Sequence, residues 1–149
     1  MPYHTPEAKT ELAFKRILET YSETDLAGVQ LIQRFSPEDI VTPSISIIVA
    51  KCTPEDTGEG PSGNWTCEIE ITLRSHYKDN TVAEHDGWLG CVTDLVCDKT
   101  LVDTLNAVML EEQFTAMEWE IGPRTHAVEG SIFVSKVEGT LYMFPSKGE

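Results

Sequence analysis

Histidine beside carboxylate is the pairing in this sequence with the most evident chemistry. Glu84, His85 and Asp86 are consecutive, and His76 precedes them by a short turn. A general base or a metal site needs an imidazole with a carboxylate to orient it. If His76 ends a strand and His85 begins a helix, His76, Glu84 and His85 form the candidate site of a small enzyme. The same acids also suit a helix N-terminus with no chemistry, through the macrodipole. Glu68 with Glu70, and Glu118 with Glu120, form a second constellation. Each pair is spaced to lie on one face of a strand. Paired carboxylates do acid–base work when crowded into one environment; on a wet sheet face they are solvated or meet a partner. Gly58, Gly60 and Gly63 match a bare dinucleotide-loop spacing, but Pro61 interrupts it and a strand follows where a helix N-terminus is required. Cys52, Cys67, Cys91 and Cys97 include no C-x-x-C pair, so they read as buried free thiols. Cys52 and Cys67 can face each other on neighbouring strands, but a cytoplasmic chain would keep them reduced. No serine or cysteine sits in a nucleophile context. The reading is therefore no catalytic residue, no cofactor and no metal.

The element that must position these groups is Trp65 to Ser75. Trp65, Cys67, Ile69, Ile71 and Leu73 fall on one face of an extended strand, and Thr66, Glu68, Glu70, Thr72 and Arg74 on the other. One face is dry and one wet. Before it, Thr5-Pro6-Glu7 starts a helix, with Thr as cap and Pro at the first position. That helix runs to Tyr21 or Ser22, with Phe14, Ile17, Leu18 and Tyr21 as its buried stripe and Leu12 on the far side. Val29 to Phe35 reads as a short strand, Ser36 to Asp39 as a connector, and Ser44 to Lys51 as a β-branched strand covered in part on both sides. Thr53 to Asn64 holds three Gly and two Pro and reads as a long loop, with Glu55, Asp56 and Glu59 as a candidate partner-contact segment.

Downstream, a helix from Val82 or Ala83 to Cys97 carries the stripe Trp88, Val92, Leu95 and Val96, with Gly87 and Gly90 allowing close approach to the sheet. A short helix spans Thr100 to Ala107. Phe114 to Ile121 alternates as a strand, Met117, Trp119 and Ile121 inward and Glu118 and Glu120 outward. Gly122 to Thr125 reads as a turn. Between Ala127 and Phe144 the apolar phase changes from Ile132 and Val134 to Leu141 and Met143, which requires a bulge or a hairpin at Glu138-Gly139. The order implies an α+β fold, a mostly antiparallel sheet with helices on one face, in a single domain over residues 1–149 with a loose tail at 145–149.

Twenty-five acids against eleven bases give a formal charge of -14, which disfavours sticking to nucleic acid or anionic membrane. The N-terminus lacks a secretory pattern, and no apolar run approaches the roughly 20 residues of a membrane helix. The expectation is a soluble chain folding in a cytoplasm.

The order and patterning, with Pro43 to Val49, the acidic Gly-rich segment, Trp65 to Ile71 and Glu84-His85-Asp86-Gly87-Trp88, resemble the tail terminator and tail-completion proteins of long-tailed bacteriophages. The resemblance covers about residues 6 to 144. It implies a non-enzymatic virion protein of the tail or neck, assembled in the bacterial host cytoplasm. It implies a homo-oligomeric, hexameric ring that ends the tail tube and meets the tail tube protein and the head-connector or neck protein. DNA enters only as a passing duplex, and no membrane is involved. Glu68, Glu70, Arg74, Glu118 and Glu120 are then the candidate assembly or channel surface. Two other readings stand beside it: an acidic inhibitor that mimics DNA, and the small enzyme built on His76, Glu84 and His85.

Overall fold

The structure, a computed structural model, describes residues 5–33, 42–56 and 61–144. Helix α1 (Pro6–Glu19) begins where the capping logic places it, with Thr5 Oγ1 accepting from the amide of Ala8 at 3.1 Å. Strands β1 (Gln30–Gln33), β2 (Ser44–Asp56) and β3 (Pro61–His76) follow, then helices α2 (Val82–Val96) and α3 (Leu101–Val108), and strands β4 (Thr115–Glu129) and β5 (Ile132–Phe144). The sheet order is β1-β2-β3-β5-β4. Every pairing is antiparallel except β1 with β2. This is the α+β fold expected. No described helix is long and apolar enough to cross a membrane.

One face of the sheet supplies the core. Ile45, Ile47 and Val49 of β2, Cys67, Ile69, Ile71 and Leu73 of β3, and Val137, Leu141 and Met143 of β5 are all buried beneath Phe14, Ile17 and Leu18 of α1 and Val92, Leu95 and Val96 of α2. Burying each such side chain is worth about 1.5–3 kcal/mol. Leu12, placed on the far side of the α1 stripe, is buried instead, together with Lys9, Thr10 and Glu11. The buried face of α1 is wider than its apolar stripe because Glu11 is used: its Oε2 accepts from the amide of Val49 at 2.9 Å, where β2 is bulged.

Four further expectations are corrected. The expected loop over 53–64 is largely β-ladder, since β2 runs to Asp56 and β3 begins at Pro61, with Pro54 opposite Trp65. Glu55 lies in β2, exposed, and accepts from Asn64 Nδ2 at 3.3 Å, and Asp56 ends the strand; Glu59 falls outside the described residues, as do Phe35, the 36–39 connector and the tail. Cys52 and Cys67 are register partners and form a disulfide, so free thiols are confined to Cys91 and Cys97, and neither is buried as expected: Cys91 is half-buried and Cys97 exposed. Gly122 to Thr125 is not a turn but a register shift inside β4, and the hairpin turn lies instead at Gly130-Ser131. A second shift turns Ala116 into the core and leaves Met117 exposed.

The apparent phase slip in the last segment has a different cause. β5 pairs with β3 without interruption from Ile132 to Met143. Its core-facing positions are Ser135, Val137, Gly139, Leu141 and Met143, all buried. Ser135 and Gly139 hide the alternation because neither is apolar and large. Gly139 is required by its neighbour: a Cβ there would meet the Trp119 ring, which lies across the strand and donates from Nε1 to the carbonyl of Val96 at 2.9 Å. Gly87 and Gly90, by contrast, face open space and bring no backbone close. Gly139→Val should therefore cost about 1–3 kcal/mol, or more if the indole is expelled, while Gly87→Ala should gain about 0.5–1 kcal/mol from helix propensity. Urea unfolding of the two variants beside the parent checks both signs.

Candidate functional site

The histidine constellation assembles, but with different members. Glu84 does not turn toward His85. Its carboxylate accepts from the Thr81 amide at 2.8 Å, while the Glu84 amide donates to Thr81 Oγ1 at 3.1 Å, a reciprocal capping box that fixes the start of α2. His76 is also taken: Nε2 lies 2.9 Å from Ser131 Oγ, and Nδ1 accepts from the Lys78 amide at 3.2 Å, which secures the β4–β5 turn against the end of β3.

His85 projects from the first turn of α2 onto the core face of the sheet and is buried there. Its Nδ1 is 2.6 Å from Ser75 Oγ on β3, and its Nε2 is 2.9 Å from Ser135 Oγ on β5. Ser135 is also 3.0 Å from Nδ1 of His126 on β4. Ser75 and Ser135 are both buried. A neutral His85 satisfies them all in one direction: Ser75 donates to Nδ1, Nε2–H donates to Ser135, and Ser135 donates to His126. Burial lowers the His85 pKa, and the nearby His126 lowers it further, against an opposing pull from Asp86. The chain of bonds ties α2 to three strands.

A cleft of about 280 Å³ opens beside this network, between α2 and the β4–β5 hairpin, with Val82, Leu89 and Phe133 as apolar wall and His85, His126 and Ser135 as polar floor. Ser135 is the hydroxyl closest to a nucleophile's setting, with an imidazole on each side, but among the described residues no carboxylate bonds either ring. Nor do three His, Cys, Asp or Glu side chains gather as a metal would require among the described residues. Sequence reasoning passed over His126, Ser75 and Ser135 because they come from three separate strands, and only the register aligns Ser135 with His126.

The carboxylate pairs occupy the opposite face of the sheet, away from the helices. Register fixes this: Glu68 lies opposite Thr140, and Thr140 opposite Glu120, while Tyr142 stands between Thr66 and Glu118. The two pairs are therefore on one face but one strand apart, about 10 Å from each other. Glu70 sits directly beside Glu138. Lys136 Nζ reaches Glu70 at 3.5 Å, and both side chains are about one-third exposed. Arg74 lies on the same face and donates to Ser46 Oγ at 3.0 Å. Glu68, Glu118 and Glu120 are exposed. Lys51 is the register partner of Glu68 on this face, so the arrangement is a sheet face on which the acids Glu68, Glu70, Glu118, Glu120 and Glu138 outnumber the cations Lys51, Arg74 and Lys136, suited to electrostatic steering or exclusion rather than to proton transfer at one atom.

The chain matches no protein-family model, and comparison with curated proteins finds no match.

A His whose folded pKa is depressed stabilises the fold fully above its unfolded value of about 6.5, and that contribution is lost as pH falls toward the lower folded value. Urea midpoints should thus fall from pH 7.5 to pH 5 more steeply in the parent than in His85→Asn, which cannot charge. Equal slopes would mean that His85 is not held neutral by the fold.

Proposed function

We propose that this chain is a structural subunit of a bacteriophage tail or neck, assembling into a ring that ends the tail tube and meets the head connector. The observation that carries the reading is the acid-bearing sheet face: every described helix packs on one face, and the other bears Glu68, Glu70, Glu118, Glu120 and Glu138 against Lys51, Arg74 and Lys136. In a ring, that face suits the wall of a channel. Fixed negative charge repels DNA phosphate and lets a duplex pass without adhering. The ladder that continues β2 and β3 past Trp65, with Asp56 opposite Pro61, is the segment this reading assigns to contact with a neighbour or the tube. The resemblance in order and patterning described above supports the choice of family.

Two measurements test this. Light scattering and negative-stain microscopy of the purified chain should give a closed ring; a monomer at every concentration would sink the reading. Replacing Glu68 and Glu70 by lysine should leave the far-ultraviolet circular dichroism and the unfolding midpoint close to the parent's, since the face is not core. The same double variant should fail in ring assembly or retain DNA in the channel. Unchanged assembly and unchanged infectivity would remove the acid face from the proposal.

A further inference from the structure

Strand β4 is the edge of the sheet, and its two halves are treated differently. At Ala116 a side chain stands where a neighbouring strand would: Asn106 Nδ2 donates to the Ala116 carbonyl at 3.0 Å, and the Ala116 amide donates to Asn106 Oδ1 at 2.6 Å. Register shifts follow at Ala116/Glu118 and Ile121/Arg124, and Pro123 offers no N–H. Such features protect an edge from pairing. From Arg124 to Glu129 the protection ends. These residues run in unbroken register with Val137 to Ile132 on one side, and all are exposed. A strand edge of this kind is a template for an added strand.

The cleft between α2 and the hairpin lies alongside this same stretch. Its wall includes Val82, 67 % exposed, and Val128, 63 % exposed, stands beside it on the edge strand. Val128 is the register partner of Phe133, so both occupy the helix side of the sheet, where Ser75 is also found. Farther along both elements, Arg124 of β4 donates from Nη1 to Thr93 Oγ1 of α2 at 3.1 Å. An extended segment paired to Thr125–Glu129 would place alternate side chains into this cleft, by the two-residue period of a strand.

We propose that this edge docks an extended segment of a partner protein, with an apolar side chain in the cleft and basic side chains flanking it. Charge selects a foreign partner over a second copy. Asp86 lines the cleft, Glu129 ends the strand, and Glu118 and Glu120 lie farther along it, while of the two nearby cations Arg124 is bonded to Thr93 and Lys136, the register partner of Thr125, is paired with Glu70 on the other face. A second copy brings another formal charge of -14, with Glu55 exposed near the end of its own β2. The proposal needs nothing from the ring reading, since it concerns an edge that a lone subunit also presents.

The probe is a seven-residue peptide of alternating lysine and valine, blocked at both ends, titrated into the full chain. The expected result is saturable movement of the Thr125–Glu129 amide resonances and slower hydrogen exchange there. The same peptide N-methylated at alternate residues, in either phase, keeps its charge; the phase that blocks the pairing amides should bind at least tenfold more weakly. Val128→Lys, at an exposed position, should also weaken binding at least tenfold, whereas Glu68→Lys with Glu70→Lys should change it less than threefold. Equal binding of both N-methylated peptides, or shifts confined to the Glu68 and Glu70 face, would show plain polycation attraction and overturn the proposal. So would an oligomer of the unliganded chain that Val128→Lys dissociates, since the occupant would then be a second copy.

Discussion

The unbroken ladder between β3 and β5 sets everything else in this molecule. Twelve residue pairs, Trp65 with Met143 through His76 with Ile132, run without a shift. A one-residue slip would move every side chain of β5 to the other face. The ladder is held on the helix side by Cys67, Ile69, Ile71 and Leu73 against Leu141 and Val137, all buried. Once that phase is fixed, Ser75 and Ser135 must enter the core, and Glu70 must lie beside Glu138 on the other side. Neither consequence favours stability by itself. A buried hydroxyl without a partner costs about 1–3 kcal/mol, so His85, reaching both serines, follows from the register. The network is then a structural requirement that also leaves two imidazoles on one hydroxyl.

The helices are located on the sheet by a few polar side chains that answer irregular backbone. Glu11 takes the Val49 amide at the bulge of β2, Asn106 takes both groups of Ala116 where β4 shifts, and Trp119 reaches the end of α2 at Val96. Arg16 joins α1 to the end of α3 and the segment after it, donating to the Val108 carbonyl at 2.9 Å and to both carboxylate oxygens of Glu112 at 2.8 and 3.2 Å. That bond holds the Glu112 carboxyl below its ordinary pKa. Apolar burial supplies the bulk of the free energy but little direction, and these bonds supply direction.

Those polar contacts also explain which parts of the structure are legible in the sequence. Period-two alternation in Trp65–Leu73 and the Thr5-Pro6 cap are local signals, and the central strand and first helix follow from them. The acid face follows too, because Glu68, Glu70, Glu118 and Glu120 keep their phase in the structure. What local pattern cannot carry is a position whose residue type is chosen by a distant partner. Ser135 answers His85 and His126, Gly139 answers Trp119, and Glu11 answers Val49. Each reads as noise or as a phase slip until the partner is in place. The ladder formed by 53–56 and 61–64 misleads for a related reason: its Gly and Pro content argues against a strand, yet β2 pairs there with β3 alone, and among the described residues no strand pairs its other side.

The two faces of the sheet and its edge have different electrostatic costs when covered, and that separates their roles. Covering the acid rows with protein would strip water from Glu118 and Glu120, and from Glu68 beside Lys51, and desolvating a charge without a matched cation is expensive. Lys136 serves Glu70 only, at 3.5 Å and partly exposed, which is a weak pair. A face of this kind persists at little cost beside water, as the wall of a filled channel would have it, and only a strongly basic partner would favour closing it. The Thr125–Glu129 edge is the opposite case. Its unpaired backbone groups gain hydrogen bonds when covered, and Val82 and Val128 gain burial, so a partner segment is stabilised there by contacts the acid face cannot offer. On these electrostatic grounds the face suits exclusion and the edge suits attachment, as proposed.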